Sequence, residues 1–303
     1  MPPPVPQANR CCTRPGCGDA CHVIHPAALI DPAAELAADV HVGPCAVIEA
    51  GARVGPGCRI EAHAQLVGRV TLAEGVTIGR GAVIGGDPQD LSFDPATDSS
   101  VEIGPHCVLR EHVTVHRGSK PGAVTRVGAH NFLMVGAHLG HDVQLGDHNV
   151  IANQVLFGGH VVMGHRCFVG GGSVFHQFVR VGDFCMVQGL SGFSKDLPPF
   201  TMAAGVNHVV GLNIVGLRRN GFSTTDRLQI KRAFDHFYRS GHNFSQALAA
   251  LDRANTNAGP TPDDPPGDGN TDAASWQPPA RAFFEFFRQP TKKGVCAFQS
   301  NRD

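Results

Sequence analysis

Tryptophan and tyrosine are almost missing from this chain, one of each in 303 residues, and 18 Phe supply nearly all of its aromatic surface. Charge is sparse too: 17% of residues carry it and the net value is −1. That balance excludes a protein that grips nucleic acid through a broad basic face. No stretch approaches ~20 consecutive apolar residues, so no helical membrane span is expected. The opening MPPPVPQANR has no apolar run behind a basic start. It does not read as a secretory leader, and the protein is expected in the cytoplasm. Four of the ten cysteines, Cys11, Cys12, Cys17 and Cys21, crowd into the N-terminal tail, but their spacing matches no common zinc pattern. Residues 1–22 therefore read as a disordered Cys- and Pro-rich tail of reduced thiols, with no metal.

What the chain has in excess is glycine, 37 residues, and a period of six. Large aliphatic or aromatic side chains fall at Ile24, Ile30, Leu36 and every sixth residue to Ile84, resume at Ile103, Leu109 and Val115, and continue from Val127 to Val187. Pro121 is the one miss in 26 slots. The slot four residues on is usually small, as at Ala46, Ala64, Cys58, Cys107, Cys167 and Cys185. Period six fits neither an amphipathic helix nor an alternating strand. It fits a solenoid with one short strand and one turn per hexad, three hexads closing a triangular coil of about 18 residues. Coils stacked at strand spacing give a prism of ~40 Å. The four corner-slot cysteines are expected to be small buried side chains without chemistry.

The register breaks at residues 85–102 and 117–126, read as loops thrown out from the solenoid, and the hexads stop at about residue 206. The β-helical domain is thus placed at 23–206 and a C-terminal helical domain at 207–303. Within the latter, Ser223 with Asp226 marks a helix start and Gly241 a stop; further helices are expected at about 245–253 and 281–288, and 254–276 reads as a disordered insert.

Seventeen His are present, and position selects a few. His141, His160 and His176 are spaced by 19 and 16 residues, so they are expected on nearly one edge in three successive coils, with His138 one corner away. Two chemistries suit such a row. A zinc lyase of the gamma carbonic anhydrase type would use the close pair His160 and His165, but its distant third ligand would fall on Val124. Acyl transfer fits better. A sugar hydroxyl attacking a thioester needs a base near neutrality. Asp142 beside His141 can fix the tautomer, and Gly158-Gly159 offers close backbone for an oxyanion.

The stretches PQDL (88–91), VEIG (101–104), VTVHRG (113–118), AHLGHD (137–142), GGH (158–160), VFHQF (174–178), SKDLPPF (194–200) and NIVGLRRNGFS (213–223) carry a specific likeness. The chain resembles the UDP-N-acetylglucosamine O-acyltransferases of lipid A biosynthesis. The resemblance implies an all-β solenoid, a left-handed parallel β-helix of hexapeptide repeats, followed by a small C-terminal α-helical domain. It implies transfer of a 3-hydroxyacyl chain from acyl carrier protein to UDP-N-acetylglucosamine, with no cofactor beyond the phosphopantetheine of the carrier, in a homotrimer with sites between subunits.

By residue, the resemblance makes His141 the general base, Asp142 its orienter and Gly159 the oxyanion donor. His138, His160, His176 and Gln177 would line the cleft, Asp90 with Gln89 would hold a sugar hydroxyl, Asn213 and Arg219 would meet nucleotide or phosphopantetheine, and Gly189 would admit a long acyl chain. Arg218, Lys231, Arg232 and Arg239 are further candidates to meet the acidic carrier. Ser92 stands where the family often has Lys, and Val215 where it is commonly acidic. The rivals are the later N-acyltransferase of the pathway, which usually has an extra N-terminal domain, and a non-catalytic hexapeptide scaffold, which would need no such histidine set.

Overall fold

The computed structural model describes residues 23–255 and 276–299. The Cys-rich segment 1–22 and nearly all of the 254–276 insert lie outside the described residues. Each hexad contributes a short strand, mostly of two residues, with its second residue turned inward. The strands stack into three sheets of 12, 9 and 8 strands, which form the three faces of a prism. The first face begins at Val23–Ile24, the second at Leu29–Ile30 and the third at Glu35–Leu36. With the helices that follow, this is a left-handed parallel β-helix with a small C-terminal helical domain.

The register explains the period. Val23 pairs with His41, His41 with Arg59 and Arg59 with Thr77, a step of 18 residues each time. The inward columns Ile48, Leu66, Ile84, Val115, Leu139, Phe157, Phe175 and Phe193 are buried. Phe157, Phe175 and Phe193 stack with ring centroids 4.8 and 5.3 Å apart, the strand spacing itself. The corner-slot cysteines are buried, and Cys58, Cys107, Cys167 and Cys185 each donate S–H to a carbonyl of the coil above, at 3.0, 2.9, 3.2 and 3.1 Å. Burial pushes the Cys107 thiol up to about 11, so it stays protonated.

Two of the corner slots hold asparagine. Asn149 is fully buried; its Nδ2 donates to Gly146 O and Gly164 O at 2.9 and 3.0 Å, and its Oδ1 accepts from Cys167 N at 2.8 Å. Asn131 does the same one coil below and passes its Oδ1 to Asn149 N at 2.8 Å. Asn149→Ala strands a buried carbonyl and a buried N–H, so it is expected to lower stability by about 2–4 kcal/mol, read as a lower urea midpoint at fixed protein concentration.

The interruptions are narrower than the sequence indicates. Strands Ser100–Ile103 and Val124–Val127 occupy their ends, leaving loops of 87–99 and 117–123. Across the first, Thr77 pairs with Val108, 31 residues on; across the second, Val108 pairs with Phe132, 24 residues on. Arg117 ties the two together. It pairs with Asp87 at 2.8 Å, donates to Pro95 O at 2.8 Å and to Thr97 O, and lies over the Phe93 ring.

The C-terminal domain is not only helical. Strand His208–Leu212 runs antiparallel to Thr201–Ala204, and Ala297–Phe298 returns to extend the first face. Between them lie α1 (Ile214–Arg219), α2 (Thr224–Tyr238), α3 (Phe244–Asn255) and α4 (Pro278–Arg288). Ser223 and Asp226 close the expected capping box on α2. Phe237 and Phe287 stack at 4.1 Å, with Phe283 and Phe284 buried beside them. No helix among the described residues is long and apolar enough to cross a membrane.

Candidate active site

The 18-residue step places side chains in vertical columns on the corner between the second and third faces. Asp142, His160 and Phe178 occupy the same left-handed turn position in three successive coils, with φ of +62°, +59° and +69°. The residues before them, His141, Gly159 and Gln177, form a parallel column. The counting by sequence is thus off by one: His160 stands over Asp142, not over His141, and the third ring of the row is Phe178, not His176. His141 meets His160 edge-on at 5.0 Å, and His160 stacks on Phe178 at 4.5 Å. His176, at the strand end before the corner, is exposed.

His141 Nδ1 lies 2.8 Å from Asp142 Oδ2. Because an ionised carboxylate only accepts, Nδ1 carries the proton, and the Nε2 lone pair is left to act as a base. Burial alone would raise the Asp142 carboxyl. The Ser119 N–H at 3.2 and 3.1 Å from its two oxygens, the His141 bond and nearby His160 hold it below the usual carboxylate range. The Asp142 N–H is itself fixed by Thr125 Oγ1 at 2.8 Å. His160 Nε2 approaches Asp142 Oδ2 at 3.6 Å. Burial pulls the His160 imidazole down, Asp142 opposes this, and His141, Lys292 and Lys120 add to the lowering.

Gly159 sits against the His141 ring: a Cβ built there would lie 2.5 Å from Cε1 and 2.5 Å from Nε2. Its N–H has no acceptor among the described residues, so a donor faces the base. His138 is not a corner away but on the strand leading into the same corner. Its Nδ1 bonds Thr114 Oγ1 at 2.7 Å, and its ring meets His116 edge-on at 4.9 Å. By ligand spacing alone, His141, Asp142 and His160 could bracket a divalent cation, their donor atoms lying within 4.8 Å of one another. As bonded here, with Nδ1–H and Ser119 N–H spent on the carboxylate, they form a proton-holding set.

His116, in the HRG stretch, is a part-buried residue that sequence reasoning did not single out. Burial first, then His138 and His141, lower its imidazole to about 4, and its Nδ1 has no partner. The unfolded chain therefore binds a proton that the folded one refuses between pH 6.5 and about 4. This stability is complete above 6.5 and lost as pH falls toward 4; His138 and His160 shift the same way. The urea midpoint should fall across that window and fall less in His116→Gln, the difference staying below ~1.4 kcal/mol per pH unit because solvent screens a part-exposed ring.

The other expected site residues are spread over the prism. Gln89 and Asp90 lie exposed in the 87–99 loop; Asp90 Oδ1 accepts from Ser92 N and Oγ at 2.9 and 2.8 Å, and those bonds, with His141 within electrostatic reach, hold its carboxyl low. Gly189 is on the corner between the first and second faces, where a Cβ built on it would lie 3.0 Å from Gly171 O. Asn213 caps α1, its Oδ1 accepting from Gly216 N at 3.0 Å and its Nδ2 donating to Phe184 O at 2.9 Å. Its amide is spent within the chain. Arg219 is exposed at the end of α1, which packs on the corner between the third and first faces. Neither comes to the His141 column within one chain.

Comparison with known proteins gives a consistent grouping. A family model described as UDP N-acetylglucosamine O-acyltransferase, domain 2, matches residues 196–296, and one for bacterial transferase hexapeptide repeats matches 51–86. The acyl-(acyl-carrier-protein)–UDP-N-acetylglucosamine O-acyltransferase of Syntrophobacter fumaroxidans is 40% identical over 228 residues, 74% of this chain and 88% of that protein. Its counterpart in Thermodesulfovibrio yellowstonii is 37% identical over 227 residues, covering 74% and 88%. Among solved structures, LpxA from Acinetobacter baumannii superposes with a TM-score of 0.80 at 32% identity, covering 90% of this chain and 99% of that one. The Arabidopsis UDP-N-acetylglucosamine acyltransferase gives 0.75 at 28% identity, covering 90% and 100%.

Proposed function

The chain belongs to the UDP-N-acetylglucosamine O-acyltransferase family, and from that premise we propose that it moves a 3-hydroxyacyl chain from acyl carrier protein to the 3-hydroxyl of UDP-N-acetylglucosamine with His141 as general base. The protein is an acyltransferase. The observation that carries the mechanism is the His141–Asp142 pair seated against Gly159, a base, its orienter and an unpartnered N–H in one corner.

The step runs as follows. Nε2 of His141 takes the proton of the sugar hydroxyl as its oxygen attacks the thioester carbonyl. The new negative oxygen is met by the Gly159 N–H. Collapse breaks the C–S bond, and the imidazolium returns its proton to the departing phosphopantetheine thiolate. Asp142 stabilises the imidazolium throughout and does not itself take the proton.

Asn213 and Arg219 lie on a different edge of the prism from His141. For them to meet the same substrate, a second copy must bring its edge to this one, which supports the homotrimer with inter-subunit sites. A cytoplasmic location is part of the proposal. The test is purified protein with UDP-N-acetylglucosamine and 3-hydroxyacyl carrier protein of varied chain length: 3-O-acyl product is expected, longest chains best. No product with any chain would leave the hexad ladder as a scaffold.

A further inference from the structure

After α4 the chain folds back onto the corner that carries the catalytic column, and it is clamped there on both sides. Before the turn, Gln289 Oε1 accepts from Arg180 Nη1 at 2.8 Å, and Arg180 Nε pairs at 2.8 Å with Asp196, which is 1% exposed. After it, Asp196 N donates to Gly294 O at 2.8 Å and Cys296 N donates to Asp196 O at 2.9 Å. Gly294, at φ +71°, makes the bend between them. Lys292 and Lys293 lie in the four-residue segment, 290–293, held by this clamp.

Both ammonium groups turn toward the site. Lys292 Nζ lies 4.4 Å from the centroid of Phe178, the ring stacked on His160. Lys293 Nζ is 3.3 Å from His176 Nδ1. The same Nδ1 lies 3.3 Å from the Gln177 carbonyl oxygen, so the ring edge stands between a cation and a carbonyl. Neither lysine has a carboxylate partner among the described residues. Lys120, in the 117–123 loop, is a third cation within electrostatic reach of His160. The one carboxylate in the column, Asp142, is already committed to Ser119 and His141. Free surface lysines gain entropy by swinging into water. Holding two on adjacent residues against aromatic rings leaves positive charge that an anion would offset.

We propose that Lys292 and Lys293 bind a phosphate ester carried by a substrate, and so set substrate affinity at this active site. The proposal rests on the acyltransferase reading above. Two coil steps, about 10 Å, separate the His141 level from the Phe178 level. A hexose bearing a diphosphate bridges that span when its reacting hydroxyl is at His141. The phosphodiester of phosphopantetheine has the same chemistry.

The test uses the full chain and the double variant Lys292→Met/Lys293→Met, which keeps the aliphatic stems. Initial rates are measured with each substrate varied in turn, and UDP binding is measured by calorimetry. The KM of one substrate should rise about 10- to 100-fold with kcat nearly unchanged, the size expected for lost charge-assisted hydrogen bonds, and arginine at both positions should restore it. A parallel loss of UDP affinity assigns the lysines to the acceptor; a raised KM for the acyl carrier with UDP binding intact assigns them to the donor. If both KM values and UDP affinity match wild type, the proposal fails. Wild type inert toward both substrates would sink the acyltransferase reading instead, and the UDP binding arm would still judge the lysines.

Discussion

His141→Ala is expected to lower kcat by about 10²- to 10⁴-fold while the protein keeps its fold, because only a proton acceptor is removed. The His141 carbonyl, which accepts from His160 N at 2.9 Å, is unaffected by the change, so the coil stacking survives. KM should move little, since the imidazole acts on a proton that is in flight only in the transition state. Asp142→Asn should lose nearly as much. An amide can turn its NH₂ toward Nδ1, which forces the imidazole proton onto Nε2 and removes the lone pair that does the work. Removing both should cost hardly more than removing His141 alone, because the carboxylate acts only through the ring. Near wild-type turnover by His141→Ala, with circular dichroism unchanged, would falsify the general-base assignment.

Gly159→Ala is expected to reduce kcat/KM by on the order of 10²-fold, although the substitution adds one methyl group and keeps the N–H. The cause is space alone. The new methyl would lie 2.5 Å from Cε1 and Nε2 of His141, so the ring must leave Asp142 or the corner must open. A control on the same scale is Gly211→Ala, where a Cβ meets nothing within 4 Å and activity should be retained. The mechanism can be separated from a general loss of structure. If ring displacement is the whole effect, Gly159→Ala adds little once His141 has been replaced by alanine. An undiminished effect in that background would mean that the glycine serves the oxyanion or the substrate and not the base.

Much of this was legible along the chain. A helical repeat maps residue i onto residue i+18, so a period of six written in Ile, Leu and Val states which side chains point inward before any coordinate is known. Cys58, Cys107, Cys167 and Cys185 follow from the same map, and so does Gly159 over His141 once the step is taken as 18 rather than 19. Asp142 beside His141 needed no map at all, because sequence neighbours at a turn stay neighbours in space. Asn131 and Asn149 carried a usable signal, polar residues in the small-residue slot, but that they would satisfy turn carbonyls of two coils was visible only once the coils were stacked.

The sequence by itself determined the solenoid, its corners and the base with its orienter, since each is set by repetition or adjacency. The tertiary structure alone decided what breaks that repetition. Ser119 holds Asp142 from a loop of seven residues whose path no period dictates. Arg117 ties that loop to the one carrying Asp90 through carbonyls at Pro95 and Thr97. Lys292 and Lys293 arrive more than a hundred residues after Phe178 and His176, where the segment after α4 bonds the part-buried Arg180 that pairs with buried Asp196. Contacts of that kind come from burial and charge compensation between distant segments, and such compensation has no periodic trace in a sequence.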